Sequence, residues 1–251
     1  PRVFQGKGVT TWEGLIKSVR AKVKGTKVKI RLGASSGEWK AMVADEAART
    51  TFAKNIKTVL EKNKLDGIDL DFEWAENEKE YKDYSLAILK MREVLGDKYL
   101  FSVSLHPVCY QISKEAIEAV DFISLQCYGP SPVRFPIEKY CSDIQMVLEY
   151  GIPKEKLVAG VPFYGVTKDN SKKTEAYFNF VQNGLVTSPA QNEVIYQGDT
   201  YVFDGQDNIR IKTRYAKEQK LKGMMSWDLA TDLPLSDSRS LLKTMTEELR
   251  E

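Results

Sequence analysis

Apolar positions along this chain fall into two alternating rhythms. Short runs of the strand period or of continuous apolar character cover 27–33, 67–73, 100–105, 122–128, 157–163 and 223–227. Between them lie stretches with the helical period, at 11–22, 44–62, 78–95, 114–119, 136–150, 174–183, 209–219 and 238–249. In the second of these, Ala47, Phe52, Ile56, Val59 and Leu60 form one stripe, which predicts a helix packed on a sheet. Strand and helix taking turns over such a length predicts an α/β fold, with a parallel sheet closed into a barrel or wound on both sides. No G-x-G-x-x-G follows an early strand, which argues against a dinucleotide fold. No repeat or low-complexity linker divides the chain, so a single domain is expected.

The run 65–74, LDGIDLDFEW, stands out from the rest. Asp69, Asp71 and Glu73 alternate with Ile68, Leu70 and Phe72. On a strand the three acids share one face, with same-face Cα atoms roughly 6.6 Å apart. Like charges so close raise one another's pKa, which suits a site needing one protonated and one ionised carboxyl group at neutral pH. A solvated edge strand or a calcium site would also use acids. The apolar opposite face speaks against the first, and the lack of Gly- and Asn-rich turn spacing against the second.

Composition narrows the alternatives. At 251 residues, with 42% hydrophobic residues, the chain has room for a sizeable core. Lys and Arg number 37 against 35 Asp and Glu, a net charge of +2 with no basic block, so no nucleic-acid partner is expected. No apolar run reaches the roughly 18 residues of a membrane helix. The three cysteines, Cys109, Cys127 and Cys141, are widely spaced and odd in number, which implies no disulfide framework. A lone histidine, His106, makes a zinc site improbable and leaves little room for Ser-His-Asp or Cys-His catalysis. Neither metal nor cofactor is expected. The chain begins at Pro1, which reads as a processed or trimmed product.

The residues at the strand ends, Glu73, His106, Tyr128, Tyr164 and Trp227, lie where a (β/α)8 barrel places its active site. Here the sequence resembles glycoside hydrolase family 18, the chitinase-like family. DGIDLDFE at 66–73 matches its D-x-x-D-x-D-x-E signature in full. IRLGASSGEW at 30–39 resembles the S-x-G-G strand and the loop after it. SLQCY at 124–128 resembles the strand ending in M-x-Y-D. GVPFYG at 160–165 is similar to G-x-P-F-Y-G, and GMMSWD at 223–228 to the last strand.

The resemblance implies a TIM (β/α)8-type barrel in one catalytic domain without a large insertion domain. The span 166–208 looks too short for an added α+β domain. The S-x-G-G strand is third in the family, yet here it starts near residue 27, and residues 1–10 cannot supply two strands and a helix. The first one or two strands are therefore expected to be missing from this chain.

The implied activity is cleavage of β-1,4 linkages at N-acetylglucosamine, in chitin or chitooligosaccharides, by a retaining, substrate-assisted mechanism. The resemblance makes Glu73 the general acid and base, and Asp71 the partner of the acetamido N–H. Asp69 shares a proton with Asp71, and Tyr128 holds the acetamido oxygen. Trp227 floors the sugar site, with Gln126, Tyr164 and His106 expected among the substrate-binding residues, a structural role for His106 standing open beside that one. An endo-β-N-acetylglucosaminidase acting on N-glycan or peptidoglycan stays open, as does a catalytically inactive sugar-binding protein. The resemblance further implies a monomer whose partner is a GlcNAc-containing glycan. It favours a secreted, cell-surface or periplasmic location.

Three departures bear on this. Arg31 stands at the first position of S-x-G-G, Gln126 replaces the Met of M-x-Y-D, and Gly129 replaces its Asp. On its strand Arg31 lies on the face opposite Val28, Ile30 and Leu32, so it is expected to pair with Asp69 or Asp66.

Overall fold

A computed structural model describes residues 11–35 and 37–250. The first ten residues, judged too few for two strands and a helix, lie outside the described residues. The chain divides into two compact units, Pro1–Val103 with Ile112–Asp121, and Ser104–Gln111 with Phe122–Glu251.

The first unit runs α1 (Trp12–Val23), β1 (Arg31–Ala34), α2 (Trp39–Ala44), α3 (Glu46–Asn63), β2 (Gly67–Leu70), α4 (Glu78–Leu95), β3 (Leu100–Leu105) and α5 (Lys114–Ala119). The last two residues of β3 count with the second unit. Strands β1, β2 and β3 pair in parallel, with Leu32 beside Ile68 and Ile68 beside Phe101. The helices start where capping side chains say they should. Asp45 accepts from the Ala48 N–H at 2.7 Å, Asn77 from Glu80 at 3.0 Å and Ser113 from Ala116 at 3.2 Å. Asp45 also explains one difference from the sequence reading. Its extended backbone (φ −103°, ψ 129°) separates α3, the helix expected over 44–62, from α2, a short helix the sequence reading did not include.

The second unit holds β4 (Phe122–Leu125), α6 (Ile137–Tyr150), β5 (Leu157–Pro162), β6 (Tyr164–Thr167), β7 (Thr174–Ala176), α7 (Tyr177–Gln182), β8 (Glu193–Tyr196), β9 (Asp199–Val202), α8 (Gln206–Glu218), β10 (Gly223–Trp227) and α9 (Leu241–Arg250). Strands β4, β5 and β10 pair in parallel. The span 166–208, judged too short for an added α+β domain, carries short elements of its own. Four short antiparallel strands in the order β7-β6-β9-β8, with helix α7, fill it from Tyr164 onward. Phe180 of α7 packs against Tyr196, Tyr201 and Phe203 at ring-centroid distances of 5.9, 5.5 and 5.4 Å. Among the described residues no helix is long and apolar enough to cross a membrane.

Four expected strands are shorter than their apolar patterns, β5 by a single residue. Ahead of β1, Ile30 is tied on both sides to Asp66, its N–H to the carboxylate and its carbonyl to the Asp66 N–H, each at 2.8 Å. Next to β1, the Asp71 N–H still reaches the Ala34 carbonyl at 2.9 Å, but β1 ends there and β2 with it. After β4, a three-residue turn from the Cys127 N–H to the Leu125 carbonyl (3.0 Å) bends the chain away from the strand.

Candidate active site

The acid row is built on β2 and the two alternating steps beyond it. Ile68, Leu70 and Phe72 are fully buried. Asp69 and Asp71 are half-buried and Glu73 is exposed. The period of two thus continues past the last ladder bond. An aromatic cluster beneath it does the holding. The Trp39 indole stacks on Phe72 at 5.4 Å and 12°, and Tyr84 packs on both rings at 5.6 and 5.3 Å. Trp39 Nε1 donates to the Glu73 carbonyl at 3.1 Å, so an indole takes over where the strand stops pairing. The Glu73–Trp74 and Trp227–Asp228 peptide bonds are both cis.

Asp69 is met from both neighbouring strands. It is the register partner of Ser102 on β3. The Ser102 hydroxyl donates to Asp69 Oδ1, and Arg31 Nη1 on β1 donates to Ser102 Oγ. Arg31 Nη1 also lies 3.7 Å from Asp69 Oδ1. The expected pairing of Arg31 with an acid of this strand is therefore present, and the acid is Asp69. Asp66 is occupied at the other end of the strand by Ile30 and by Lys29 at 3.8 Å. Burial lowers the Arg31 pKa from its ordinary value, and Asp69 and then Asp121 pull it back.

Tyr128, Gln126, Tyr164, His106 and Trp227 belong to the second unit. Tyr128 is buried. Its hydroxyl lies 3.5 Å from Met225 Sδ, and its ring meets Tyr164 edge-on at 6.4 Å. Gly160 makes room for it. A Cβ there would stand 2.9 Å from Tyr128 Cε1 and 2.7 Å from the Leu125 carbonyl oxygen. Gln126 is buried, with its N–H on the Leu105 carbonyl at 2.7 Å. Trp227 ends β10 beside Pro162 and accepts the Phe163 N–H at 2.8 Å, while its residue surface stays 49% exposed. A large indole left open at a strand end can receive a sugar face.

His106 sits in a tight turn closed by mutual bonds with Cys109 at 3.2 and 2.7 Å. Its Nδ1 accepts from the Val108 N–H at 3.2 Å and its Nε2 donates to the Tyr128 carbonyl at 3.0 Å. Burial, and after it the Arg134 charge, lowers its pKa to about 4, so the ring is neutral at physiological pH. Burial pushes the Cys127 thiol well up, which leaves it a poor nucleophile.

Four residues around these groups had no role in the sequence reading: Ser102, Trp39, Gly160 and Met225. For Ser102 a signal existed. Ser102 and Ser104 alternate with Phe101, Val103 and Leu105 on a strand whose residues are almost all buried, and buried hydroxyls need partners.

Comparison with known proteins bears on the family and the fold. The model of the family described as glycosyl hydrolases family 18 matches residues 8–232. A probable chitinase 2 of Drosophila melanogaster is 23% identical over 273 residues, covering 82% of this chain and 56% of its own length. The chain thus spans little more than half of that relative. A chitinase of Bacteroides thetaiotaomicron superposes with a TM-score of 0.81 at 22% identity, over 93% of this chain and 80% of that one. A chitinase-like agglutinin of Robinia pseudoacacia does so with a TM-score of 0.78 at 18% identity, over 94% of this chain and 85% of its own. At such identities the likeness is one of fold, a chitinase-like α/β fold.

Proposed function

The chain belongs to glycosyl hydrolase family 18, and from that premise we propose that it is a chitinase-like glycosidase cleaving β-1,4 linkages at N-acetylglucosamine. The observation that carries this reading is the acid row, Asp69, Asp71 and Glu73, set on a buried apolar backing with Glu73 outermost. Parallel strands alternating with helices in each unit support a (β/α)8-type barrel as its frame. In this reading the two units form one catalytic domain, which works as a monomer on chitin or its oligosaccharides.

The proposed reaction has two steps. Glu73 gives its proton to the glycosidic oxygen as the substrate's 2-acetamido oxygen attacks the anomeric carbon. The leaving sugar departs as an alcohol and a cyclic oxazolinium ion remains. Glu73, now a carboxylate, takes a proton from water, which opens the ring at the same carbon with net retention. Asp71 accepts from the acetamido N–H and balances its positive charge. Asp69 supports Asp71 from the same face of the acid row. Tyr128 donates to the acetamido group and holds it for attack. Trp227 stacks beneath the sugar, with Gln126 and Tyr164 flanking it. His106 contributes by holding the Tyr128 main chain.

The test is digestion of chitotetraose, a high-mannose glycopeptide, a muropeptide and cellotetraose, read by mass spectrometry. Chitotetraose should be cleaved and cellotetraose, which lacks the acetamido group, should not. Glu73→Gln should keep binding, measured by calorimetry, and lose all but about a tenth or less of turnover. Equal rates on the two tetraoses, or an active Glu73→Gln protein, would overturn the reading. The likeness to a chitinase-like agglutinin favours one rival, sugar binding without hydrolysis. Wild-type protein that binds chitotetraose and never cleaves it would establish that rival. Cleavage of only the glycopeptide or the muropeptide would move the substrate while keeping the chemistry.

A further inference from the structure

Arg31 reaches further than its place on the sheet requires. Its register partner on β2 is Gly67, and Asp69 lies two residues further along. Ser102 lies one strand beyond, opposite Asp69. The guanidinium therefore leans along the strand and across β2, and the Ser102 hydroxyl meets it from β3. Gly67, in between, has no side chain to obstruct it. At the far end Arg31 donates to the Ser102 hydroxyl, which donates to Asp69 Oδ1. The same guanidinium nitrogen stands 3.7 Å from that oxygen. One carboxylate oxygen is thus held by a chain of two donors from the two neighbouring strands.

Little of this pair is open to water, with side-chain exposures of 26% for Arg31 and 17% for Asp69. Such a pair is screened less than a surface ion pair. A guanidinium placed there without a carboxylate would be costly, so each group accounts for the other. Asp69 is also two positions from Asp71 on the same face, which makes its orientation matter to the acid row.

We propose that Arg31 is a positioning residue for the acid row: through Ser102 it fixes the Asp69 carboxylate in the orientation that Asp71 needs during hydrolysis. This rests on the reading above, in which Asp69 supports Asp71. Arg31 itself touches no substrate. A side chain as short as serine's at position 31 could not span β2, so the linkage depends on a long cationic side chain and is fullest with arginine's forked donors.

A double-mutant cycle tests it. Arg31→Met should lower kcat on chitotetraose by about tenfold and leave KM within about twofold. Arg31→Lys keeps the charge and most of the reach, and should recover part of the loss. In an Asp69→Asn background, Arg31→Met should cause no further drop in kcat, because its effect passes through that carboxylate. Ser102→Ala removes a single hydroxyl and should lower kcat in the same sense, which keeps the idea testable if Arg31→Met folds poorly. Additive losses in the cycle, or a rise in KM at unchanged kcat, would overturn the proposal. Failure of the underlying reading shows separately, as hydrolysis that survives Glu73→Gln. A denaturant-unfolding cycle on the same Arg31 and Asp69 variants reads the contact without reference to activity, and additive stability losses there would refute the linkage itself.

Discussion

At His106 a single imidazole is bonded on both sides by main chain, accepting from Val108 and donating to Tyr128. Protonation would place a hydrogen on Nδ1 and turn the Val108 contact from attraction to repulsion. The groups whose charges act on this ring are Arg134, Lys139 and Asp143, and they are themselves linked, Arg134 Nη1 lying 3.3 Å from Asp143 Oδ2. With a native pKa of about 4 and an unfolded value of about 6.5, the unfolded chain takes up a proton first as pH falls. The stability tied to this histidine is thus complete above about pH 6.5. It declines between about 6.5 and 4 and levels off below. Denaturant midpoints across that range should fall in the wild type more steeply than in His106→Gln. Parallel curves would mean that another group carries the acid sensitivity. The lone histidine marked a probable strand end in the sequence, but its partners are main-chain atoms, which have no residue-type signature.

Among the elements, β2 and β3 illustrate how closely backbone spacing can constrain a site. A Cβ on Gly67 would stand 2.0 Å from the Leu100 carbonyl oxygen and 2.8 Å from Leu100 Cβ. Backbone cannot yield there without parting the strands that carry Asp69 and Ser102. Gly67→Ala should therefore destabilise the protein by about 2 kcal/mol or more, measured by chemical unfolding. Hydrolysis should fall beyond what unfolding explains. A variant as stable as wild type would show that the two strands separate freely. The patterns of β3, β10, α4 and α5 were legible to the residue, because their period is uninterrupted and their ends carry turn or capping residues. The end of β2 was not. Period alone continues to Glu73, whereas pairing stops where β1 runs out. The antiparallel strands β6 to β9 were missed for a related reason. Each is three or four residues long, and such runs fall below the length at which alternation is distinctive.

For the molecule as a whole, the second unit buries an ion pair that no motif announced. Lys212 Nζ lies 2.6 Å from Asp204 Oδ2 with both side chains fully enclosed, and it also donates to the Phe135 carbonyl at 2.9 Å. The Tyr140 ring stands 5.4 Å from the ammonium group. The contact thus joins α8, the Phe135 turn and the segment after β9. Removing either charge alone, by Lys212→Met or Asp204→Asn, should cost about 3–5 kcal/mol, while replacing both with apolar residues should recover much of it. Urea unfolding of the three variants checks this, and single losses under about 1 kcal/mol would contradict it. The sequence by itself determined the α/β class, the family and the acid row, because each is written in local order: periodicity, and a motif with its acids two apart. Alternation on β1 pointed Arg31 at Asp69 or Asp66, but which acid it takes, and what joins Asp69 to Ser102, Tyr128 to His106, or Lys212 to Asp204, was decided by tertiary structure alone. Those partners lie 38, 33, 22 and 8 residues apart, and only strand register and packing bring their polar atoms within bonding distance.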